Sequence, residues 1–413
     1  MNAEIIAAGS ELLTQARSDT NSLWITGQLN ELGVEVTQKS IVGDDRERLA
    51  AALRGALERV EIVIVTGGLG PTEDDVTREA AAQALMRPLV FSQEMLRWIE
   101  RRFAHFGRRM APINRRQAFL VGGAEPLENP NGTAPGQWID LPGRMLMLLP
   151  GPPHEMKLMF GGACVERLRA RVPKLSIRKR FFRVAGMGES DLDQLIAPLY
   201  KPYENPVTTI LAAAGDIQIH LRARSESPDE AEALVAELGA KIEAALGDRI
   251  YSHDGSPLEN VIGHELKRRS ETVAVAESCT AGLLGARVTD VAGASAWFVG
   301  GFQVYATEMK TRLLGIDAAL IEANGVVSEA VAKAMAESAR ERTGATWALG
   351  VTGAAGPEGT GGAEPGTIWI GLAGPSGAEA RKFRFPGDRA RVRAYAAQSA
   401  LNLLRLRLLS GAR

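Results

Sequence analysis

The sequence predicts an α/β protein made of two or three domains. Short apolar runs typical of buried strands alternate with segments whose apolar residues recur at helical spacing, as in largely parallel sheets flanked by helices. The chain has 413 residues, more than the roughly 250 to 300 residues that one hydrophobic core serves. Its composition, 45% hydrophobic and 23% charged, is typical of a folded globular protein.

The first part of the chain has the pattern of a β-α-β-α-β unit. Strands are expected over residues 4–8, 34–42 and 62–65, and helices over residues 20–32 and 46–60. Ser18 and Asp19 are candidate caps for the first helix, and Gly33 is placed to end it. Proline and glycine in residues 129–136 and 149–153 predict shaped loops later in this domain.

The character of the sequence changes near residue 176. Strands are expected over residues 178–184 and 216–224, and helices over residues 191–199 and 228–246. This order predicts a small α+β middle domain, and the turn-rich residues 252–257 have the composition of a linker. We therefore expect three domains, over residues 1–172, 173–252 and 256–413.

After the linker, strands and helices alternate again up to the C-terminus. Strands are expected over residues 272–276, 298–305, 347–351 and 367–373, with a final amphipathic helix over residues 389–409. The third domain is therefore predicted to be α/β.

Composition and charge argue against several classes of protein. Lys plus Arg (48) nearly balances Asp plus Glu (49), so the formal net charge of -1 provides no overall attraction to nucleic acid or anionic membranes. The arginines of residues 101–116 are interleaved with apolar residues, which favours a solvated helix face over a polyanion site. Two cysteines, no signal-like start and no long apolar run predict a cytoplasmic protein without membrane or direct nucleic-acid binding.

Ser278 is the first candidate nucleophile. It follows the strand of residues 272–276 and precedes a helix, and ligands of open α/β sheets bind at such strand ends. Backbone amides of the turn could hold an oxyanion; the amides considered are those of Cys279, Thr280, Ala281 and Gly282. In the alternative interpretation, Ser278 or Thr280 only caps the helix. Cys279 is another candidate nucleophile, although a thiol there is more often buried packing.

A serine nucleophile needs a base, and Lys310 is the candidate. The chain has five histidines, none in the C-terminal core beyond His264, which makes a histidine-based triad improbable. Tyr305 lies at a predicted strand end, and Lys310 follows it by about one helical turn. Tyr305 could position Lys310 or relay its proton. To act near pH 7, the lysine pKa must fall by about three units from about 10.4, a differential of roughly 4 kcal/mol. An exposed lysine and a packing tyrosine are the alternative.

A glycine-rich loop over residues 351–362 follows a predicted strand. Its backbone amides could hold a phosphate, with Thr352, Gly353 and Gly356 as the candidate residues. Its spacing matches neither the P-loop nor the dinucleotide fingerprint. A mobile loop without a ligand remains the alternative.

A second glycine-rich loop, residues 66–77, joins a buried strand to a helix in the first domain. Gly68 and Gly70 permit close backbone approach, and Asp74 and Asp75 offer oxygen ligands for Mg²⁺. Glu11 and Asp19 could meet these aspartates at the same sheet edge. A metal there would neutralise a pyrophosphate and activate water. Alternatively, Asp74 and Asp75 only cap the following helix.

The C-terminal motifs together resemble the nicotinamide-nucleotide amidohydrolase, or deamidase, domain of the competence/damage-inducible protein A (CinA) family. They lie in residues 276–280, 300–310, 325–328 and 352–357, and the likeness covers about residues 256–410. The resemblance implies nicotinamide mononucleotide as substrate, with Ser278 as nucleophile, Tyr305 and Lys310 as its catalytic partners, and no cofactor.

The N-terminal motifs resemble the first domain of the same family. They lie in residues 9–13, 19–21, 67–77, 129–136 and 149–156, and residues 184–190 resemble the family's middle domain. The resemblance implies a three-layer fold similar to molybdopterin-binding domains and an ADP-ribose pyrophosphatase activity that needs a divalent metal such as Mg²⁺. It also implies a homo-oligomer, most simply a dimer.

This chain departs from the family pattern at four places. Ala281 stands where a second glycine is usual, Thr307 where asparagine is frequent, and Gln15-Ala16 where glycine follows the Leu-Leu pair. Residues 358–366 lack the usual lysine. These departures leave reduced or shifted activity open. The rival hypothesis is a non-catalytic protein that binds molybdopterin or a partner linked to competence and recombination.

Overall fold

The computed structural model describes residues 1–410 of the chain, which fold as two units. One unit comprises residues 1–177 and 224–231, and the other comprises residues 178–223 and the chain from residue 232 onward. The segment predicted as a middle domain thus groups mostly with the C-terminal part. The last three residues of the predicted third domain, 411–413, lie outside the described residues.

The N-terminal unit is a three-layer α/β structure, as predicted. Its strands are β1 (Asn2–Ala8), β2 (Glu35–Val42), β3 (Ile62–Thr66), β4 (Leu89–Phe91), β5 (Phe119–Val121), β6 (Glu125–Leu127), β7 (Gly136–Leu141) and β8 (Arg144–Leu149). Its helices are α1 (Asn21–Glu31), α2 (Arg46–Arg59), α3 (Thr77–Ala84), α4 (Gln93–His105), α5 (Pro153–Met159) and α6 (Val165–Arg169). The main sheet has the order β2-β1-β3-β8-β7-β6, and β4 pairs with β5 separately.

Alternation of apolar residues along the strands builds the two faces of this sheet. Ile6 and Val63 pack on the side of α2 and α3, whereas Ile5 and Ile62 pack on the side of α1 and α5. Strands β2, β1, β3 and β8 are parallel to one another. Strand β7 pairs antiparallel with β8, and β6 pairs antiparallel with β7. Since both faces are covered by helices, the central strands are mostly apolar, as the sequence pattern predicts; buried Glu4 of β1 pairs with Arg59.

The ends of the first helix are set by the residues that the sequence marked. The Asp19 carboxylate accepts the backbone N–H of Ser22 at 3.0 Å, in the first turn of α1. Gly33, with φ of 81°, follows the end of the helix in the left-handed region that glycine tolerates. The predicted capping by Asp19 and termination by Gly33 are thus observed.

The middle segment forms a four-stranded sheet of order β10-β11-β9-β12. Its strands are β9 (Ser176–Val184), β10 (Val207–Ala213), β11 (Asp216–Ser225) and β12 (Ile250–Ser252), and its helices are α7 (Glu189–Tyr200) and α8 (Pro228–Leu246). The predicted α+β class is correct, but β10 and β12 were not predicted. Tyr251 of β12 belongs to the same apolar core as the C-terminal sheet, which explains why this segment groups with that part.

The C-terminal part is built on a five-stranded sheet of order β14-β13-β15-β16-β17. Its strands are β13 (Val273–Glu277), β14 (Phe298–Gln303), β15 (Trp347–Gly353), β16 (Thr367–Gly374) and β17 (Gly377–Arg384). Its helices are α9 (Leu258–Arg269), α10 (Leu283–Thr289), α11 (Thr307–Leu314), α12 (Ala318–Asn324), α13 (Glu329–Thr343) and α14 (Arg389–Ser410). Strands β14, β13 and β15 are parallel, whereas β16 and β17 are antiparallel additions.

Helices cover both faces of this sheet too. Helices α9, α10 and α14 share one apolar core with it, and α11, α12 and α13 share the other. The carboxyl ends of β13 and β14 therefore lie next to the start of α10 and α11, where Ser278 and Lys310 occur. In the described residues 1–410, no helix combines the length and apolar content needed to cross a membrane.

Candidate active site

Ser278 lies in a tight turn directly after β13. Its own backbone N–H donates to Val351 O at 2.9 Å, and the Val304 N–H donates to Glu277 O at 2.8 Å. The turn is therefore fastened to both neighbouring strands, β15 and the end of β14. Ser278 is largely buried, so a nucleophile here would act out of bulk water.

Lys310 is fully buried and its amine contacts Ser278 directly. Its Nζ atom lies 3.1 Å from Ser278 Oγ, 2.8 Å from Val304 O and 3.4 Å from Tyr305 O. Burial lowers the pKa of Lys310 from 10.5 to about 8. The predicted pairing of Ser278 with Lys310 and the desolvation that it requires are both present in the structure.

The three contacts of Lys310 can be made by an ammonium, which donates to all three oxygens, and also by a neutral amine. A neutral amine has two N–H bonds and one lone pair, while the Val304 and Tyr305 carbonyls can only accept. If the two N–H bonds are donated to these carbonyls, the lone pair faces the Ser278 hydroxyl. The arrangement can therefore take the serine proton, which is the first requirement of a lysine general base.

Only some of the amides considered for an oxyanion hole are available. The Ala281 N–H donates to Ser278 O, and the Gly282 N–H donates to a carboxylate oxygen of Glu277 at 3.0 Å. The amides of Cys279 and Thr280 have no acceptor within residues 1–410. The candidate oxyanion hole is thus narrowed to these two.

Arg393 of α14 holds the same turn from outside. Its Nε donates to Cys279 O at 3.1 Å and its terminal nitrogen to Thr280 O at 2.6 Å. Because the carbonyl and amide of a trans peptide point in opposite directions, fixing Cys279 O also fixes the Thr280 N–H. Sequence reasoning missed Arg393, since nothing local to the final helix indicates a turn more than a hundred residues away.

Glu277 is a second functional residue that sequence reasoning missed. Its carboxylate is buried and accepts the backbone N–H groups of Gly282, Leu284 and Gly285 at 2.8 to 3.0 Å. It therefore caps the start of α10 and holds the nucleophile turn in shape. The sequence did contain a signal for this role, since Glu277 is an acidic residue at the end of an otherwise apolar strand.

The backbone conformation at Ala281 explains why a glycine suits this position. Its φ is 50°, in the left-handed region, and Gly282 follows with φ of 92°. A side chain at a left-handed position costs roughly 1 to 2 kcal/mol. The alanine is therefore tolerated under strain, while the turn keeps its two open amides.

Tyr305 contacts Lys310 through its backbone carbonyl, whereas its hydroxyl contacts Arg389. Its carbonyl is one of the Lys310 acceptors, but its side chain is 60% exposed and its hydroxyl accepts from Arg389 at 2.7 Å. Arg389 also donates to Gly356 O at 3.0 Å and so links Tyr305 to the glycine-rich loop. Arg389, the first residue of α14, is another residue that the sequence did not single out.

The predicted phosphate-loop residues have different surroundings. Thr352 and Gly353 belong to β15, and the Thr352 hydroxyl donates to Val326 O at 2.8 Å. Gly356 lies beyond the strand, beside Arg389. Ala354 is also bound through its N–H and carbonyl, so the part of the loop free to meet a ligand begins after Ala354.

Cys279 is a poor nucleophile in this structure. Its side chain is buried, and burial raises the pKa of the thiol to about 12. The thiol is therefore protonated at neutral pH, and a protonated thiol is unreactive. The contribution of Cys279 is its backbone amide.

The remaining departures from the family pattern lie mostly at the surface. Thr307, the first residue of α11, is exposed, as are Gln15 and Ala16. In the loop of residues 358–366, Glu364 pairs with Arg384 at 2.7 Å. None of these positions touches Ser278 or Lys310 in the described contacts.

The N-terminal unit holds a cavity of about 820 Å³. The predicted site residues that line it are Glu11, Asp19, Gly68, Gly70, Asp74 and Asp75. Residues 150–155 and Asn21 complete part of the wall. The structure thus collects the N-terminal candidates around one cavity at the carboxyl edge of the sheet.

The acidic residues of this cavity do not form a metal site made of protein ligands alone. Within residues 1–410, no three His, Cys, Asp or Glu side chains converge as a metal group would require. Asp75 accepts from the Gly70 N–H, the Thr72 N–H and the Thr72 hydroxyl, so it ties the loop together. Asp19 is occupied by the cap of α1.

Comparison with known proteins agrees with this arrangement. Residues 4–170 match the model of a probable molybdopterin binding domain, residues 179–252 a damage-inducible protein CinA KH domain, and residues 255–408 a CinA C-terminal domain. A CinA-like protein of Solibacter usitatus is 56% identical over 99% of this chain and 98% of its own length. The chain belongs to the CinA family.

Other CinA family members extend the comparison. A putative competence-damage inducible protein of Symbiobacterium thermophilum is 42% identical, over 99% of both chains. The crystal structure of the protein CinA of Thermoplasma acidophilum is 32% identical, covers 41% of this chain and 99% of its own, and has a TM-score of 0.39. The family models and these relatives confirm the resemblance to the CinA family, and CinA family domains are consistent with an enzyme.

Proposed function

We propose that the C-terminal domain of this CinA family protein hydrolyses the carboxamide of nicotinamide mononucleotide to nicotinate mononucleotide and ammonia. The observation that carries the proposal is the 3.1 Å contact between Ser278 Oγ and the buried Lys310 amine. Lys310 has a pKa near 8, so a useful fraction of it is neutral at physiological pH.

The proposed reaction proceeds in two halves. Ser278 Oγ attacks the carboxamide carbon while its proton passes to Lys310, and the amides of Cys279 and Thr280 hold the oxyanion. Lys310 then protonates the amide nitrogen, the C–N bond breaks and ammonia leaves. In the second half, Lys310 takes a proton from water, the water oxygen attacks the acyl ester, and Ser278 regains its proton.

Substrate binding is proposed at the rim formed by Arg389 and the loop beyond Ala354. Arg389 is exposed and links the Tyr305 hydroxyl to Gly356 O. A guanidinium there suits the 5′-phosphate of the nucleotide. A direct catalytic role for the Tyr305 hydroxyl remains a prediction, since the hydroxyl oxygen accepts from Arg389 and the side chain is exposed.

The test is ammonia release from nicotinamide mononucleotide by the purified full-length protein, with a chelator present. Ser278→Ala should reduce the rate at least about a thousandfold. Cys279→Ala is the matched control: it removes the neighbouring thiol but keeps the amide, so the rate should stay within a fewfold of the parent. Undiminished deamidation by Ser278→Ala would overturn the proposal.

A second activity, cleavage of ADP-ribose to AMP and ribose 5-phosphate, is proposed for the N-terminal cavity. Its volume of about 820 Å³ and its lining by the Gly67–Gly70 loop favour a nucleotide ligand. Formation of AMP, measured with added Mg²⁺ and again with a chelator, tests both the activity and the predicted divalent-metal requirement. Loss of AMP formation in Asp74→Ala is expected.

The cellular setting completes the proposal. We expect a cytoplasmic homo-oligomer, most simply a dimer, that meets both nucleotides there and binds neither membrane nor nucleic acid directly. Light scattering of the purified protein tests the oligomeric state. The rival, a non-catalytic molybdopterin-binding or recombination-linked protein, would be favoured if a pterin or protein partner bound while neither nucleotide was converted.

A further inference from the structure

Arg78, the second residue of α3, carries a buried charge beneath the N-terminal glycine loop. Its side chain is 1% exposed, and its two terminal nitrogens donate to Leu69 O at 2.6 Å and Gly70 O at 2.7 Å. Its Nε is buried without a partner. In the described part of the chain, no carboxylate lies within ion-pair distance of it.

The loop above Arg78 turns four consecutive carbonyls toward α3. Gly67 O accepts the Thr77 hydroxyl at 2.8 Å, and Gly68 O accepts the Thr77 N–H at 3.1 Å. Leu69 O and Gly70 O accept from Arg78. One end of the loop is thus held by Thr77 and the other by Arg78.

This orientation leaves two amides facing the opposite way. In a trans peptide the N–H points away from the preceding carbonyl, so the Gly68 and Leu69 N–H groups are directed away from α3. Neither has an acceptor within residues 1–410, and both residues line the cavity. Gly68 has φ of 63°, and a Cβ there would lie 2.2 Å from Thr77 Oγ1, so no other residue fits this backbone.

The Gly67–Gly70 loop itself carries no carboxylate, and Arg78 places a positive charge behind it. Glu11, Asp44 and Glu155 line other parts of the wall and would repel a diphosphate. Asp74 and Asp75, four and five residues after Gly70, also line the cavity, and Asp75 accepts the Gly70 and Thr72 backbone N–H groups. A guanidinium buried behind two open amides is weakly screened, so its field reaches the cavity side of the loop.

We propose that Arg78 is a positioning residue that fixes the Gly67–Gly70 loop and charges it for a phosphate ligand, which seats on the Gly68 and Leu69 amides. The inference rests on the proposed ADP-ribose site and deepens it. It orients the ligand: the diphosphate lies against the loop, and the hydroxyl-bearing part faces the acidic wall.

The test is a calorimetric titration of the full-length protein with ADP-ribose, and separately with inorganic pyrophosphate, in the presence of a chelator to prevent turnover. Arg78→Gln removes the charge and should weaken ADP-ribose binding at least about tenfold. Arg78→Lys keeps the charge but cannot hold both carbonyls and should bind a fewfold weaker. The matched control is Arg87→Gln, which removes a contact to Gly122 O at 3.1 Å away from the cavity lining and should bind as the parent.

If Arg78 had a purely structural role, its substitution would lower the melting temperature but would not give this graded loss of affinity. It would also leave the salt dependence of binding unchanged, whereas loss of a charge that acts on the ligand makes that dependence shallower. Equal affinity of Arg78→Gln and the parent overturns the inference and leaves the ADP-ribose proposal standing. If Arg78→Gln does not fold, unchanged affinity of Arg78→Lys overturns it. Arg78-dependent binding of pyrophosphate without any binding of ADP-ribose supports the inference and rejects the proposed substrate. Binding of neither ligand by the parent, with the chelator and again with added Mg²⁺, overturns both.

Discussion

The Lys310 amine sets the pH dependence of the proposed deamidation. Burial lowers its pKa from 10.5 to about 8, and only the neutral form can accept the Ser278 proton. Below pH 8 the neutral fraction falls tenfold per pH unit, so kcat/KM should rise with pH up to about 8 and level off above it. Initial rates between pH 6 and 9.5 measure this; a flat profile below pH 8 would mean that another group is the base.

Ala281 is a residue at which one substitution should change both the stability of the protein and the deamidation rate. Its φ of 50° is strained for alanine, and glycine relieves that strain at some cost in unfolded-state entropy. Ala281→Gly should therefore raise the free energy of unfolding by about 0.5 to 1 kcal/mol. Met86→Gly is the matched control, since Met86 has φ of 51° in the N-terminal unit.

Denaturant titration measures both variants. Both should be stabilised, but only Ala281→Gly should change the deamidation rate, because only Ala281 belongs to the turn that presents the Cys279 and Thr280 amides. Destabilisation by Ala281→Gly would show that the alanine methyl group contributes packing that outweighs the strain.

At the scale of elements, the strand–turn–helix around Ser278 depends on the Glu277 carboxylate. It accepts three backbone N–H groups from the start of α10. Glu277→Gln replaces one acceptor oxygen by an amide group that meets these donors with its own hydrogens. The variant should lose about 1 to 3 kcal/mol of stability and much of its kcat for deamidation.

Thermal unfolding and steady-state kinetics of Glu277→Gln test this prediction. Glu271→Gln is the control: Glu271 accepts the Trp347 indole N–H at 2.7 Å away from the turn, and glutamine keeps that acceptor. If the two variants behave alike, the carboxylate of Glu277 has no special part in holding the turn.

The elements that the sequence predicted well are those with one dominant period. Strands β3, β13 and β15 are apolar runs because helices cover both faces of their sheets, and such runs are visible in the sequence. Strand β17 was missed because it is an edge strand with charged, exposed positions. Its pairing with β16 is decided by a hairpin partner rather than by its own pattern.

The candidate site was predictable to a similar degree. Ser278 and Lys310 were found because each follows a predicted strand end, and parallel strand ends meet at one sheet edge. Arg393 and Arg389 were not found from the sequence. Arg393 contacts a residue 114 positions away in sequence, and Arg389 contacts one 84 positions away. The contact of Tyr305 with Lys310 through its carbonyl, and with Arg389 through its hydroxyl, also depends on tertiary structure that no local pattern encodes.

At the scale of the whole molecule, each unit carries its own candidate site. In both, a glycine-containing turn follows a parallel strand, and an arginine holds its carbonyls: Arg78 at Leu69 and Gly70, and Arg393 at Cys279 and Thr280. Both turns keep two amides open. The same physical device thus serves a phosphate in one proposal and an oxyanion in the other.

Two candidate sites, each within its own unit, predict independent activities. No residue of the Ser278 site lines the N-terminal cavity, so Ser278→Ala should stop ammonia release from nicotinamide mononucleotide while AMP formation from ADP-ribose stays within about twofold of the parent. Asp74→Ala should do the reverse. Both products are measured on the same preparations, so each variant is its own folding control. If either substitution lowers both activities while the protein stays folded, the two sites are coupled, and the deamidase would have to be treated as one half of a single catalytic unit.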